Sequence, residues 1–286
     1  MALKFNTNQR VTMPPFFGPA YSQNPKASQC VNGHFKPAEV DSISITYETD
    51  DALLENCIPE CYRMREPLIT VNVCEFNRIG WLNGKSYRLI NVNCPVHFKG
   101  ELDDCDGDLV LAMFENHCDP IVGGRELMGY SKLYCDIPPI QFNGKKYISI
   151  ASCWDFQFMK ITVDTNEAPS ELERVEKTMV ASQGKMHLKV FTHNHSRDEE
   201  RHISNEMYPT MLPLWKKPND YPWEMIEPKT EWGNGTIEWN APSWEDWPTN
   251  GHVAVGLAKL PVCKILAAKH CVYSDPCEYG DIFRLK

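Results

Sequence analysis

No stretch of this sequence approaches the roughly 18 uninterrupted apolar residues that a membrane-crossing helix needs. Its first residues, Met1-Ala2-Leu3-Lys4-Phe5-Asn6, contain no apolar leader followed by a small-residue cleavage site. These absences make the cytoplasm the expected address and remove a membrane from the expected partners. Basic charge is scarce as well. With 29 Lys and Arg against 38 Asp and Glu, the formal net charge is −9. The pair Lys216-Lys217 is too short to act as a basic stripe, so the chain as a whole repels a phosphate backbone and nucleic acid is not an expected partner. Also missing are a nucleophile elbow, a P-loop and a dinucleotide-binding fingerprint. Gly123-Gly124 lacks the spacing and following helix that phosphate cradling requires. No internal repeat is present.

Cysteine is plentiful, at twelve residues, but its arrangement is uninformative. The nearest pairs, Cys57 with Cys61 and Cys271 with Cys277, lack the paired short spacings of a zinc site. A chain of 286 residues can bury a core without covalent staples, so the thiols are expected to be reduced packing residues. His193-Asn194-His195, with His187 and His202 nearby, has no carboxylate or cysteine at ligand-like spacing and reads as a polar surface turn. No metal ligands are assigned.

What the sequence does contain is a succession of short β-like segments. Residues 1 to about 38 are broken by Pro14-Pro15, Gly18-Pro19 and Asn24-Pro25 and read as an irregular arm. Ser42 to Tyr47 alternates polar and apolar, the period of a half-buried strand, and Asp50 to Glu55 reads as a short helix with an acidic start. Strands are expected at 68–73 and 87–92, with Asn83-Gly84 as the turn between them, and at 147–151 after Asn143-Gly144. Leu109 to Phe114 is continuously apolar, as in a strand covered on both faces. Residues 165–185 read as a charged helix or a solvated loop, 185–192 as a strand, and 253–266 as short strands or a strand–helix pair. Between 208 and 248 lie seven prolines and six tryptophans, which read as a loop covering the core or as a lid over a pocket. Many short strands and few long helical patterns point to an antiparallel, barrel-like or sandwich core in one domain.

Lys132 stands apart from the other lysines. Gly129-Tyr130-Ser131-Lys132-Leu133-Tyr134 surrounds it with aromatic and apolar groups after a buried strand and a Gly-Gly turn. The run from Asp108 to Lys132, with Pro120, Gly124-Arg125-Glu126-Leu127 and Tyr130, is similar without a gap to the segment of acetoacetate decarboxylase that carries its Schiff-base lysine. Tyr47, Thr49, Ala52-Leu53 and Glu66-Pro67-Leu68 resemble the family's first strand, helix and second strand. Leu260-Pro261-Val262 with Lys264-Ile265 resembles its closing segment. On these residues the chain is identified as a divergent member of the acetoacetate decarboxylase superfamily, over roughly residues 40 to 286.

The resemblance implies a mainly β, α+β fold: a cone-shaped antiparallel β-barrel with a few peripheral helices. The arm would span 1–38 and the domain 39–286, with the Trp- and Pro-rich insertion at about 208–248. It implies that a neutral Lys132 amine adds to a ketone and loses water, giving an iminium that takes up the electrons released when a β-carboxylate leaves as carbon dioxide. Glu115 and Arg125 would join Lys132 in catalysis, and Tyr130, Phe114, Met113, Leu89 and Asn72 would line the substrate. The family's second lysine is Leu133 here, and Val40, Asn72 and Leu89 occupy the places of an arginine and two glutamates that handle carboxylate and protons. Glu75 and Arg88, within a few residues of those places, are candidate substitutes. No cofactor is needed for this chemistry, and the expected partner is a small-molecule carbonyl compound. Homo-oligomerisation is expected from the family and from the apolar anchors Phe16-Phe17 and Tyr21. The expected activity is that of a lyase on a bulky β-keto acid or polyketide-like carbonyl compound in specialised metabolism. A non-decarboxylating cyclase, isomerase or aldol-dehydration enzyme is the alternative, followed by a non-catalytic binder.

Overall fold

A computed structural model describes residues 12–13, 26–194, 204–277 and 282–286. Phe16, Phe17 and Tyr21, the expected anchors of the arm, lie outside the described residues, as do His195 and His202. A two-strand ribbon, β1 (Cys30–Val31) and β2 (His34–Phe35), leads into β3 (Ala38–Glu48) and helix α1 (Asp51–Glu55). Asp50 caps α1, its side chain accepting from Leu53 N at 2.9 Å. Strands β4 (Tyr62–Met64), β5 (Leu68–Ile79), β6 (Lys85–Lys99) and β7 (Asp104–Glu115) follow. Helix α2 (Cys118–Gly123) passes directly into a π-helical turn, Gly124–Met128, and then β8 (Lys132–Tyr134). Next come β9 (Gln141–Asn143), β10 (Lys146–Cys153), β11 (Phe156–Asp164), α3 (Leu172–Ala181) and β12 (Gly184–His193). The chain closes with β13 (Ser204–Pro213), β14 (Lys229–Trp239), α4 (Gly251–Ala258), β15 (Lys264–Asp275) and β16 (Phe283–Arg284).

The strands form a 14-stranded sheet in the order β16-β13-β12-β7-β6-β5-β3-β15-β14-β11-β10-β9, with β4 on β6 and β8 on β7. Mainly β architecture with a few peripheral helices is therefore present. Two details of the expected barrel change. Among the described residues the end strands β16 and β9 do not pair, so the sheet is open. It is also mixed, because β7 pairs in parallel with both β8 and β12. Both expected turns are present, with left-handed backbone at Asn83, Gly84 and Gly144.

The segment 208–248 is not a simple loop or lid. Much of it is strand, in β13 and β14, since Thr236, Ile237 and Glu238 pair with Thr162, Ile161 and Lys160 of β11. Its tryptophans divide: Trp247 is buried against Phe114 and Phe158, Trp239 Nε1 donates to the Tyr47 hydroxyl at 3.2 Å, and Trp244 is exposed. The segment 253–266 resolves into α4 followed by β15.

Alternation along the central strands gives the sheet two unlike faces. One carries Ile43, Ile45, Val71, Val73, Ile90, Val92 and Phe114 into the main core, covered by β10, β11 and α4. The other is polar at its centre. Register puts Lys132, Met113, Asn91, Asn72, Ser44 and Lys269 in one row across β8, β7, β6, β5, β3 and β15. Direct cross-strand partners share a face, so this row and its neighbours set the chemistry of the second face.

Candidate active site

Lys132 opens β8 with its side chain on the polar face and only 6% exposed. Its Nζ lies 2.8 Å from Glu115 Oε1, donates to Pro120 O at 2.9 Å, and sits over the Tyr130 ring at 5.0 Å from the centroid. Glu115 is the last residue of β7 and fully buried. The contact with Lys132 is an ion pair without good hydrogen-bond alignment, and both Glu115 oxygens lack a hydrogen-bond partner among the described residues. Burial pushes the Glu115 carboxyl above its ordinary range, with Lys132 and then His117 pulling the other way.

The backbone explains why the amine reaches this place. Gly124, in the π-helical turn, packs against the lysine stem: a Cβ there would lie 2.6 Å from Lys132 Cδ and Cε and 2.8 Å from Nζ. Gly129 ends the turn with φ +86, left-handed backbone that favours glycine, and a Cβ there would lie 2.7 Å from Lys189 Cβ. Lys189 of β12 also donates to Leu127 O at 2.9 Å, bracing the turn.

Arg125 does not reach the amine. Its Nη1 donates to the Lys132 backbone carbonyl at 2.7 Å, so it positions the strand that carries the lysine. Tyr130 packs against the amine and against His187, with ring centroids 3.9 Å apart. Met113 is the direct neighbour of Lys132 in the sheet. Phe114, between Met113 and Glu115, necessarily points to the opposite face, where it packs on Phe158 and Trp247 in the core. The expectation that it lines the substrate gives way to that alternation. Asn72 lies two strands farther along the row than Met113 and lines a different cavity, bounded also by Lys185 and Lys269. Leu89 belongs to a satellite apolar cluster with Cys74, Phe76 and Tyr87.

Leu89 is nonetheless informative, because it is the direct cross-strand partner of Glu115. The resemblance expects a carboxylate at position 89, and one stands on the same face one strand away. Glu75 and Arg88, the candidate substitutes, pair with each other at 2.9 Å, and they brace the 137–140 segment through Ile137 O and Ile140 N. Neither residue is directed at Lys132.

His187 is the member of the site that sequence reading missed. Although grouped there with a surface turn, it is fully buried on β12 behind Tyr130, and neither ring nitrogen has a hydrogen-bond partner among the described residues. Desolvation, then Lys185 and Lys132, lowers its pKa to about 3, so the ring is neutral near pH 7. The alternation of 185–192 was the available signal: it places His187 on a different face from its immediate neighbours. A narrow cleft of about 10 Å³, about one water, opens beside Lys132 between Trp81, Asp119, Pro120, Gly124 and Met128. Among the described residues the group with converging metal-ligand atoms is His117, Cys118 and Asp119, all within 4.8 Å at the start of α2. The twelve cysteines are free thiols, and no helix among the described residues is long and apolar enough to cross a membrane.

This geometry, a buried amine beside a buried carboxylate, can be compared with known proteins. The acetoacetate decarboxylase family model matches residues 17–284. The acetoacetate decarboxylase of Chromobacterium violaceum is 33% identical over 125 residues, 43% of this chain and 44% of the relative. The alignment thus spans less than half the length of that curated relative. The crystal structure of acetoacetate decarboxylase from Legionella pneumophila superposes with a TM-score of 0.58 at 18% identity, covering 90% of this chain and 92% of that one. The enduracididine biosynthesis enzyme MppR, solved with pyruvate, gives a TM-score of 0.57 at 10% identity, covering 93% and 96%. At such identities the two structures speak for the fold. The family match extends over nearly the whole chain, and the protein belongs to the acetoacetate decarboxylase family.

Proposed function

We propose that the protein is a lyase acting on a β-keto acid or related carbonyl compound through a Schiff base on Lys132. The observation that carries this reading is the buried Lys132 amine, 2.8 Å from Glu115 and enclosed by Tyr130 and the Gly124 turn. Glu115 accepts a proton from the ammonium, and the neutral amine adds to the substrate carbonyl. The resulting carbinolamine takes a proton at its hydroxyl and loses water, leaving the iminium. When a β-carboxylate departs as carbon dioxide, the electron pair of the broken carbon–carbon bond moves into the iminium and gives an enamine. Protonation of the enamine carbon and hydrolysis release the ketone and restore the amine. The raised carboxyl of Glu115 suits both directions of proton transfer. A substrate larger than one water requires the cleft beside Lys132 to widen.

A second reading, a cyclase or isomerase that keeps the pocket but loses no carbon dioxide, is favoured by one observation. Val40, Asn72 and Leu89 stand where carboxylate-handling groups are expected, and the nearby Arg125 is committed to the Lys132 carbonyl. Product mass separates the two readings, since decarboxylation removes the mass of carbon dioxide. Borohydride added with a turned-over β-keto acid should trap an adduct that peptide mapping places on Lys132, and Lys132→Ala should lose both adduct and turnover. Full activity in Lys132→Ala would sink the proposal.

A further inference from the structure

A second cavity lies on the same polar face, toward the other end of the row that begins with Lys132. It measures about 90 Å³ and shares no lining residue with the cleft beside Lys132. Lys269 lies five strand spacings from Lys132 in that row, a path of roughly 24 Å along the sheet. Its floor is polar, with Ser44, Thr46, Thr70, Asn72 and Asn93, and Val175, Thr178 and Met179 of α3 also line it.

Two cations face this space, and they differ in partnership. Lys185 is matched by Asp108 at 2.8 Å. Lys269 has no carboxylate within ion-pair distance among the described residues: its Nζ meets Met179 Sδ at 3.9 Å and lies 5.1 Å from the centroid of the Trp232 ring. Glu176 acts on it only at longer range, while desolvation lowers its pKa. A half-buried ammonium without a counter-ion is costly, and a bound anion relieves that cost.

We propose that this cavity is a second ligand site, which takes a small monocarboxylate with its carboxylate on Lys269. One unmatched cation calls for one negative charge. The cleft beside Lys132 admits about one water in about 10 Å³, so on the same scale the cavity of about 90 Å³ here admits several, enough for a small organic acid such as acetate. The amides and hydroxyls of the floor supply further hydrogen-bond donors. Leu68, Val175, Ala267 and Trp232 offer an apolar wall to the alkyl end, which favours an organic acid over an inorganic anion.

Acetate is the test ligand, titrated against chloride at constant ionic strength by calorimetry and thermal melting. Wild type should bind acetate saturably at one site per chain. Lys269→Met should weaken binding by about tenfold or more, while being at least as stable as wild type in acetate-free buffer. Lys269→Arg, which keeps the charge, should retain binding. Lys132→Met should keep the acetate response while losing borohydride trapping, so that failure of one site is distinguishable from failure of the other. Equal binding by Lys269→Met, loss of binding in Lys132→Met, or no saturable response in wild type would each overturn the proposal.

Discussion

Gly124 shows how closely one residue can control the candidate nucleophile. Its α-region backbone needs no glycine, with φ −65; what demands glycine is the Lys132 stem, 2.6 Å from where a Cβ would stand. Because the obstructed atoms belong to a flexible side chain, Gly124→Ala should fold with a melting temperature near wild type. It should lose most borohydride trapping, because the amine is displaced from Glu115 and Pro120 O. Wild-type trapping in that variant would show that the amine does not depend on this approach. His187 gives a second prediction. Its pKa is about 3 when folded against an ordinary value of 6.5, so between those limits the unfolded chain holds a proton that the folded chain does not. Stability from this residue is therefore present above about pH 6.5 and is lost as pH falls, by up to the order of 5 kcal/mol. In urea unfolding from pH 7 to pH 4, His187→Leu should show a shallower loss than wild type, and parallel curves would refute the assignment.

At the scale of elements, the Lys132 site depends on a junction and the second cavity on a helix. The junction is α2, the π-helical turn and β8, where the chain reverses so that β8 lies parallel to β7. The helix is α3, held to the ends of the central strands by Val175 packed on Leu68, Leu266 and Ala267 and by Arg174, which meets Glu66 at 2.7 Å and Glu48 at 2.5 Å, with its own N-cap Glu171 at 3.2 Å. These groups are about one-third exposed, so solvent screens each pair, and Arg174→Ala should cost only about 1–2 kcal/mol. The loss should be local. Hydrogen exchange should quicken across residues 172–181 while the amides of β5 and β6 keep their protection, and uniform quickening would mean that α3 is integral to the sheet. The charged pattern of 165–185 suggested a helix but not its partners, because Glu48, Glu66 and Arg174 are remote in sequence. The same limit applies to Glu75 and Arg88, whose structural task in bracing residues 137–140 becomes visible only once that segment is folded against them.

For the whole molecule, the main core joins β3, β5, β6 and β7 to β10, β11, β12, β13 and α4 in one cluster. No element on that list has an independent apolar centre of comparable size. Thermal unfolding followed by tryptophan fluorescence and by far-ultraviolet dichroism should therefore give superimposable single transitions. Two separated transitions would mean that the sheet holds two units. An open sheet of this length also has edges to protect, and β9 and β16, only three and two residues long, present little backbone for pairing with another chain.

Local chemistry in the sequence determined a good deal. Period-two alternation specified the central strands, Asn-Gly pairs specified their turns, and the run to Lys132 specified both the family and the candidate nucleophile. These are properties of neighbouring residues, and they survive without knowledge of the fold. Tertiary structure alone decided which face each residue joins and what it meets there. A shift of one position sends Phe114 into the core while Met113 and Glu115 join the lysine. Strand order brings Glu115 beside Leu89, so that a carboxylate stands one strand from the position where the resemblance expects one. Register between β14 and β15 sets Lys269 opposite Trp232 with no acid at ion-pair distance among the described residues, and packing of β12 turns a histidine from an apparent surface turn into a buried neighbour of Tyr130. Each of these contacts joins residues far apart in the chain, and their partners are set by strand order, register and packing together.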